Sequence, residues 1–146
     1  MPYRFPLEVV LQYRAELEQR EERALGAHRE RVNQLRTQLA HLKMLREQAR
    51  QKHEEALLAG VLGSDLHYAE MQSRSLAQAE AALRKELSSA ITSLDKQMKV
   101  YLAARQKREI LAELKKTSKQ RYQVEADRKA QSAVDELFSA RFQREK

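Results

Sequence analysis

The chain has no cysteine and no tryptophan, only two prolines and three glycines, and few aromatic residues. Without cysteine there is neither a disulfide framework nor a thiolate metal site. With so little proline and glycine, almost nothing interrupts a helix once it has started. Aromatics at 5% are too few to fill a wide core. No stretch of about 18 apolar residues occurs, so no segment is read as crossing a bilayer. The opening residues, Met1-Pro2-Tyr3-Arg4-Phe5-Pro6-Leu7-Glu8, lack the apolar run of a secretory signal. A soluble cytosolic protein without membrane insertion is the expectation from these absences.

What is present is charge and helix-forming side chains. Charged residues make up 34% of the 146 positions, and Ala, Glu, Lys, Leu, Arg and Gln dominate, the composition of long helices. The clearest break is Ala59-Gly60-Val61-Leu62-Gly63-Ser64-Asp65. Gly60 and Gly63 suit the positive-φ conformation that ends a helix, and Ser64 and Asp65 suit the N-cap of the next. The expected fold is therefore all-α, a long two-helix antiparallel coiled-coil hairpin. Residues 1–6 form a leader, 7–59 the first helix, 60–65 the turn and 66–143 the second helix, as one unit over 1–146. A hairpin buries only a seam, so completion by a partner is expected.

The apolar pattern defines that seam. Phe5, Leu7, Val10, Leu11 and Leu17 recur at helical spacing, followed by a charged stretch from Glu18 to Arg23. Leu25, Val32 and Leu39 then occupy heptad a positions, with His28, Leu35 and Leu42 at d. Gly26 marks a soft point or a close approach of the second helix. Small residues such as Ala49 and Ala56 are expected to let the helices approach closely near the turn. In the second helix Leu76, Leu83, Leu87, Ala90 or Ile91, Leu94, Met98 and Tyr101 continue the seam, and Ala104, Leu111 and Leu114 extend it less strictly. A turn near residue 62 sets residues whose numbers sum to about 124 face to face, so Leu25 meets Met98 and Leu11 meets Leu111 to Leu114. Beyond about residue 120 the second helix outruns the first. It carries Tyr122, Val124, Ala126, Ala130, Val134, Leu137, Phe138 and Phe142 there, and Leu137, Phe138 and Phe142 are read as a C-terminal docking face.

Charge is unevenly placed. Lys96, Lys99, Arg105, Lys107, Arg108, Lys115, Lys116, Lys119 and Arg121 face only Glu109 and Glu113 in the same segment, and this excess equals the whole chain's net charge of +7. Such a region steers an acidic partner. Phosphate neutralisation needs only lysine and arginine, but no nucleic-acid recognition motif is present, and a solvated or protein-facing role is the stronger reading.

No catalytic constellation is evident. The glycines are scattered, so no phosphate loop forms. His28, His41, His53 and His67 lack ligand spacing. Glu21 with Glu22 and Glu54 with Glu55 are adjacent on a helix, point apart, and read as solvated. The expectation is no enzyme, no cofactor and no metal.

The start Phe5-x-Leu7-x-x-Val10-Leu11-x-x-Arg14-x-x-Leu17-Glu18, the glycine-containing break near residue 60, the opening Tyr68-x-x-Met71 of the second helix and the basic, glutamine-rich C-terminal half together resemble the FliJ family of flagellar type III export. The resemblance implies a non-catalytic stalk, similar to the central stalk of rotary ATPases. Its partners would be a hexameric export ATPase, whose assembly and activity it promotes, the cytoplasmic region of the export-gate membrane protein, and export chaperones. It would be cytoplasmic and peripherally associated with the inner membrane at the flagellar base, serving flagellum biogenesis and motility. Phe5, Leu7, Leu11, Arg14, Lys115, Lys116, Lys119 and Arg121 lie far from the turn and are the expected ATPase-ring contact. Tyr68 matches the family's post-turn tyrosine, Met71 stands where an aromatic is usual, and Leu76 falls one residue later than the usual leucine step. These three are the implied export-gate contact, against the plainer reading that Tyr68 and Met71 staple the turn. A stalk of a virulence type III secretion system, a coiled-coil tether and a nucleic-acid-binding hairpin stay open as alternatives.

Overall fold

A computed structural model describes residues 2–60 and 62–145. Among them the protein is all α-helical: α1, Glu8–Ala59, of 52 residues, and α2, Gly63–Arg144, of 82 residues. The two pack against each other as a helical hairpin. Contacts group the chain into two units, each an antiparallel pairing of one stretch of α1 with one of α2. One comprises residues 21–101, the turn included; the other comprises residues 1–20 and 102–146.

α1 opens after Pro6 with a turn in which the amide of Glu8 donates to the carbonyl of Phe5 at 3.1 Å. Glu8 puts a carboxylate at the positive end of the helix dipole. At the other end Gly60 takes φ +85° and its amide donates to Leu57. That left-handed conformation is what glycine permits without strain. Gly63 does not share it. α2 begins at Gly63, and the amides of Asp65 and Leu66 donate to the carbonyl of Leu62 at 3.0 and 3.2 Å. Ser64 and Asp65 therefore sit inside the first turn, not at its cap, and Asp65 acts there through its charge. Val61, in the turn read from sequence, lies outside the described residues.

In the unit of residues 21–101 the buried apolar side chains among the described residues are Leu25, Val32 and Leu35, all on the heptad frame. Each contributes roughly 2 kcal/mol by leaving water. Three such side chains make a thin core, and the rest of the seam is half-buried. That includes His28, Leu39 and Leu42 on α1 and Leu76, Leu83, Leu87, Ala90, Ile91, Leu94, Met98 and Tyr101 on α2. In the other unit Phe5 is buried and Leu11, Leu17, Ala104 and Leu111 are half-buried, while Leu114, placed on the seam from sequence, is 47% exposed. The seven-residue frame explains this: it runs through Leu111, Lys115 and Ser118 and leaves Leu114 off the contact line.

Extended in both directions, the frame absorbs residues that break the apolar pattern. On α1 it runs Leu11, Arg14, Glu18, Glu21, Leu25 and on to Arg46, Ala49, His53 and Ala56, and every position except Arg46 is buried or half-buried. On α2 it runs unbroken from Leu76 through Glu80, Gln97, Arg108 and Lys115 to Tyr122, all buried or half-buried. The charged stretch Glu18 to Arg23 thus does not interrupt the seam; Glu18 and Glu21 belong to it.

Each polar seam residue on α2 from Glu80 to Lys115 finds a partner on α1. Glu80, 6% exposed, takes Arg46 from across the seam and Arg84, at 2.6 Å, from its own helix. Gln97 donates to the Glu21 carboxylate at 2.6 Å and to its backbone carbonyl at 3.2 Å. Arg108 pairs with Glu18, and Lys115 with Glu8 at 2.7 Å. Glu21 is accordingly a seam residue rather than a solvated one. The Arg46 hydrogen bond is the main reason the Glu80 carboxyl lies below its ordinary value, against the opposing effect of burial, with Arg84 adding to it. Cross-helix partners sum to between 117, for Arg31 with Glu86, and 126, for Arg46 with Glu80, which brackets the pairing expected from the turn.

Near the turn the helices do not close up on their small residues. Grooves of about 320 and 590 Å³ are both lined by Ala49, His53, Ala69, Gln72 and Leu76. Alanines at contact positions leave space unfilled unless the backbones move together, and the bulk of His53 and Gln72 opposes that. Gly26 is no close approach either: a Cβ there would meet nothing within 4 Å.

Two outcomes are expected from this geometry. Gly26→Ala should stabilise by about 1 kcal/mol, because an open helical site gains propensity without a clash. Gly60→Ala should destabilise by about 1 kcal/mol, because φ +85° strains any Cβ; urea titration followed by circular dichroism measures both. The depressed carboxyl of Glu80 contributes stability above its unfolded-state value near 4.5, lost as pH falls through the lower folded value. A plot of melting temperature against pH from 7 to 2 should therefore be flatter for Glu80→Gln than for the wild type on its acid limb. Equal slopes would show that the Arg46 and Arg84 pairing contributes nothing.

Candidate functional site

The side chains read from sequence as functional fall in three places. The first lies in the unit formed by residues 1–20 and 102–146 and holds all eight of the expected ring-contact residues. They differ in what they can offer. Phe5 is buried, so it can only support a contact from beneath. Leu11 and Arg14 are half-buried on the seam, and Arg14 lies over the Tyr13 ring, 5.9 Å from its centroid. Lys115 is held by Glu8. Leu7, Lys116, Lys119 and Arg121 are exposed. The leader is fixed against this region by Tyr3, whose ring packs on Tyr122 at 5.3 Å and a 47° tilt. Tyr122, assigned from sequence to the overhang, is therefore the last rung of the seam.

The structure also redistributes the basic segment. Glu8 and Glu18 from α1 join Glu109 in pairing Lys115, Arg108 and Arg105. In sequence only Glu109 and Glu113 are near. Lys96, Lys99, Lys107, Lys116, Lys119 and Arg121 remain exposed along α2, so the positive field persists.

The second place is the region around the turn, in the unit of residues 21–101. Tyr68 and Met71 are 70% and 58% exposed. Side chains that stapled the turn would be covered by it, so packing does not account for them. Leu76 behaves differently: it is a half-buried seam residue lining both grooves. Sequence reading missed the neighbours of Tyr68. Leu57, Leu58 and Leu62 are exposed too, Leu58 at 90%. The available signal was the absence of any heptad role for them beside the frame residue Ala56.

The third place is α2 beyond Tyr122, where every described residue to Glu145 is exposed. Leu137 and Phe138 are each 72% exposed, with Val124, Val134 and Phe142 also open to solvent.

Among the described residues no group of three or more His, Asp or Glu side chains could hold a metal ion. No helix among them is long and apolar enough to cross a membrane. The four His side chains are not gathered: His28 and His53 lie on the seam, and His41 and His67 are exposed. What the chain presents is a set of exposed apolar residues around the turn, an exposed basic stretch and an exposed C-terminal stretch of α2.

Comparison with known proteins agrees with this description. No curated protein and no solved structure matches the chain. The family model described as flagellar FliJ protein matches residues 3–146. That span takes in the fixed leader, both helices and the turn, and the chain belongs to the flagellar FliJ protein family.

Proposed function

We propose that this protein is the non-catalytic stalk of a flagellar type III protein export apparatus. It docks in the hexameric export ATPase, promotes ring assembly and turnover, and links the ring to the cytoplasmic region of the export-gate membrane protein and to export chaperones. It works in the cytoplasm, peripherally associated with the inner membrane at the flagellar base. The observation that carries this reading is the family match over residues 3–146. The disposition of exposed side chains supports it. Leu7, Lys116, Lys119 and Arg121, with Leu11 and Arg14 at the seam and Phe5 beneath, form an apolar and basic surface suited to acidic or carbonyl-rich pore loops. A two-helix rod inside a six-fold ring cannot touch all subunits alike, so it biases their conformational states to the extent that its contacts differ between them. At the turn, Tyr68 and Met71 form the gate contact, joined by Leu57, Leu58 and Leu62, with Leu76 holding the helices together behind them. The C-terminal residues Leu137, Phe138 and Phe142 are a further docking face.

The test is steady-state ATP hydrolysis by the cognate ATPase at low salt, with ring formation followed by light scattering. Wild-type protein should raise both. Replacement of Lys116, Lys119 and Arg121 by Glu should cut the stimulation at least tenfold with helicity unchanged, and normal stimulation by that variant would move the ring contact elsewhere. Tyr68→Ala with Met71→Ala should leave ATPase stimulation intact and weaken binding to the cytoplasmic gate domain at least tenfold. Equal gate binding by that variant would return these side chains to the solvent.

A further inference from the structure

The exposed stretch of α2 after Tyr122 carries an apolar stripe on the wrong side of the helix for the seam. Up to Tyr122 the seam advances by the heptad frame. Continued past it, that frame falls on Glu125, Lys129, Ser132, Glu136, Ser139 and Gln143, all polar. The apolar residues Ala130, Val134, Leu137 and Phe138 lie about 180° away around the same helix, at 100° per residue. This stripe is therefore no frayed remnant of the pairing with α1; its phase belongs to another partner.

Its composition says which. About a centre at Val134, most of the stripe is complementary in an antiparallel sense, Leu137 opposite Gln131 being the exception. Ala130 stands four residues before and Phe138 four after, a small side chain opposite a large one. Asp127 stands seven before and Arg141 seven after, opposite in charge and both on the stripe. Ala126 and Phe142 repeat the small and large relation eight residues out. A helix with this arrangement is self-complementary under a two-fold axis through Val134, the condition for an isologous interface. Two copies laid antiparallel put Val134 on Val134, each Phe138 over the other's Ala130, and two Asp127–Arg141 pairs at the flanks. Residues 123–145 of both copies lie side by side in this arrangement, which is the stretch that α1 leaves uncovered.

We propose that residues 123–145 form an antiparallel homodimer interface through this stripe. The inference does not depend on the stalk reading. The contact is one helix wide and about 34 Å long at 1.5 Å per residue, at the small end of specific interfaces, so the dimer is reversible and concentration-dependent.

Analytical ultracentrifugation at 150 mM salt from 1 to 500 µM tests it, with circular dichroism confirming helicity. Wild type should move from 17.0 kDa toward twice that mass as concentration rises. Asp127→Arg alone sets Arg against Arg at both flanks, and Arg141→Asp alone sets Asp against Asp, so each should weaken dimerisation at least tenfold. Mixed in equal amounts, the two variants should dimerise with each other at wild-type strength, as should the double exchange with itself. A merely hydrophobic or differently registered association predicts neither the loss nor the recovery. Monomers throughout the range, dimers indifferent to the single reversals, or failure of the mixture to recover would each overturn the proposal. ATPase stimulation by the wild type is scored separately, so failure of the dimer leaves the stalk reading standing.

Discussion

The pairing of opposite charges across the helix seam is the constraint on which this structure rests. A two-helix coiled coil with Leu25, Val32 and Leu35 as the buried apolar core of its turn-proximal unit has little to stop one helix sliding past the other, since heptads resemble each other. The charged seam residues are not interchangeable in that way. A slip of one heptad in either direction sets Arg108 against Leu11 or Leu25 and Glu80 against Leu39 or His53. Each misplacement leaves a charge at a contact position without its partner, which costs far more than the correct pair contributes. The ion pairs therefore select a register more than they add stability. Leucines supply affinity between the helices, and Glu18–Arg108 and Arg46–Glu80 decide the alignment.

This selection bears on the surfaces the protein presents. Fixing the register in the unit formed by residues 1–20 and 102–146 fixes which α2 cations face α1 and which face outward. Arg108 and Lys115 are used by Glu18 and Glu8. Lys116, Lys119 and Arg121 stay exposed, so the steering field is set by what the seam does not neutralise. Tyr3 against Tyr122 closes this unit's seam and defines where the second helix becomes solvent-exposed on all sides.

Much of the fold could be read in the sequence, because its signals are repetitive and local. The heptads around Leu25 to Leu42 define the seam on α1, and the scarcity of glycine and proline leaves Gly60 as the one strong stop. The limit was treating charge as an interruption. Glu18, Glu21, Glu80, Arg108 and Lys115 satisfy the seven-residue count, and counting apolar residues alone passes over them. Leu114 shows the converse error, a large apolar residue assigned inward although its phase is off the frame. Ser64 and Asp65 lie two and three residues past the cap for a related reason: several residues in Gly63-Ser64-Asp65 could start a helix, and composition does not choose among them. The basic segment was visible in sequence, but its partners on α1 were not, since Glu8 and Glu18 lie about 90 or more positions away.

Exposed apolar residues alone do not mark a binding surface in a two-helix hairpin. Val9 and Ile110, 78% and 60% exposed, fall within the range of the side chains at the turn, as a two-helix coil must leave some of its apolar residues in water. What separates Leu57, Leu58, Leu62, Tyr68 and Met71 from them is that five such residues fall within 15 positions of one turn. What separates Val134, Leu137 and Phe138 is phase. An apolar residue off the frame beside a continuing seam is tolerated noise. A run of them at helical spacing, on the face opposite a seam whose own positions have all turned polar, requires two coordinated changes in composition along the same helix. Loss of pairing explains why Glu125, Lys129 and Ser132 are polar, but leaves the second stripe without a cause. The proposed homodimer contact, with its own register, would account for both.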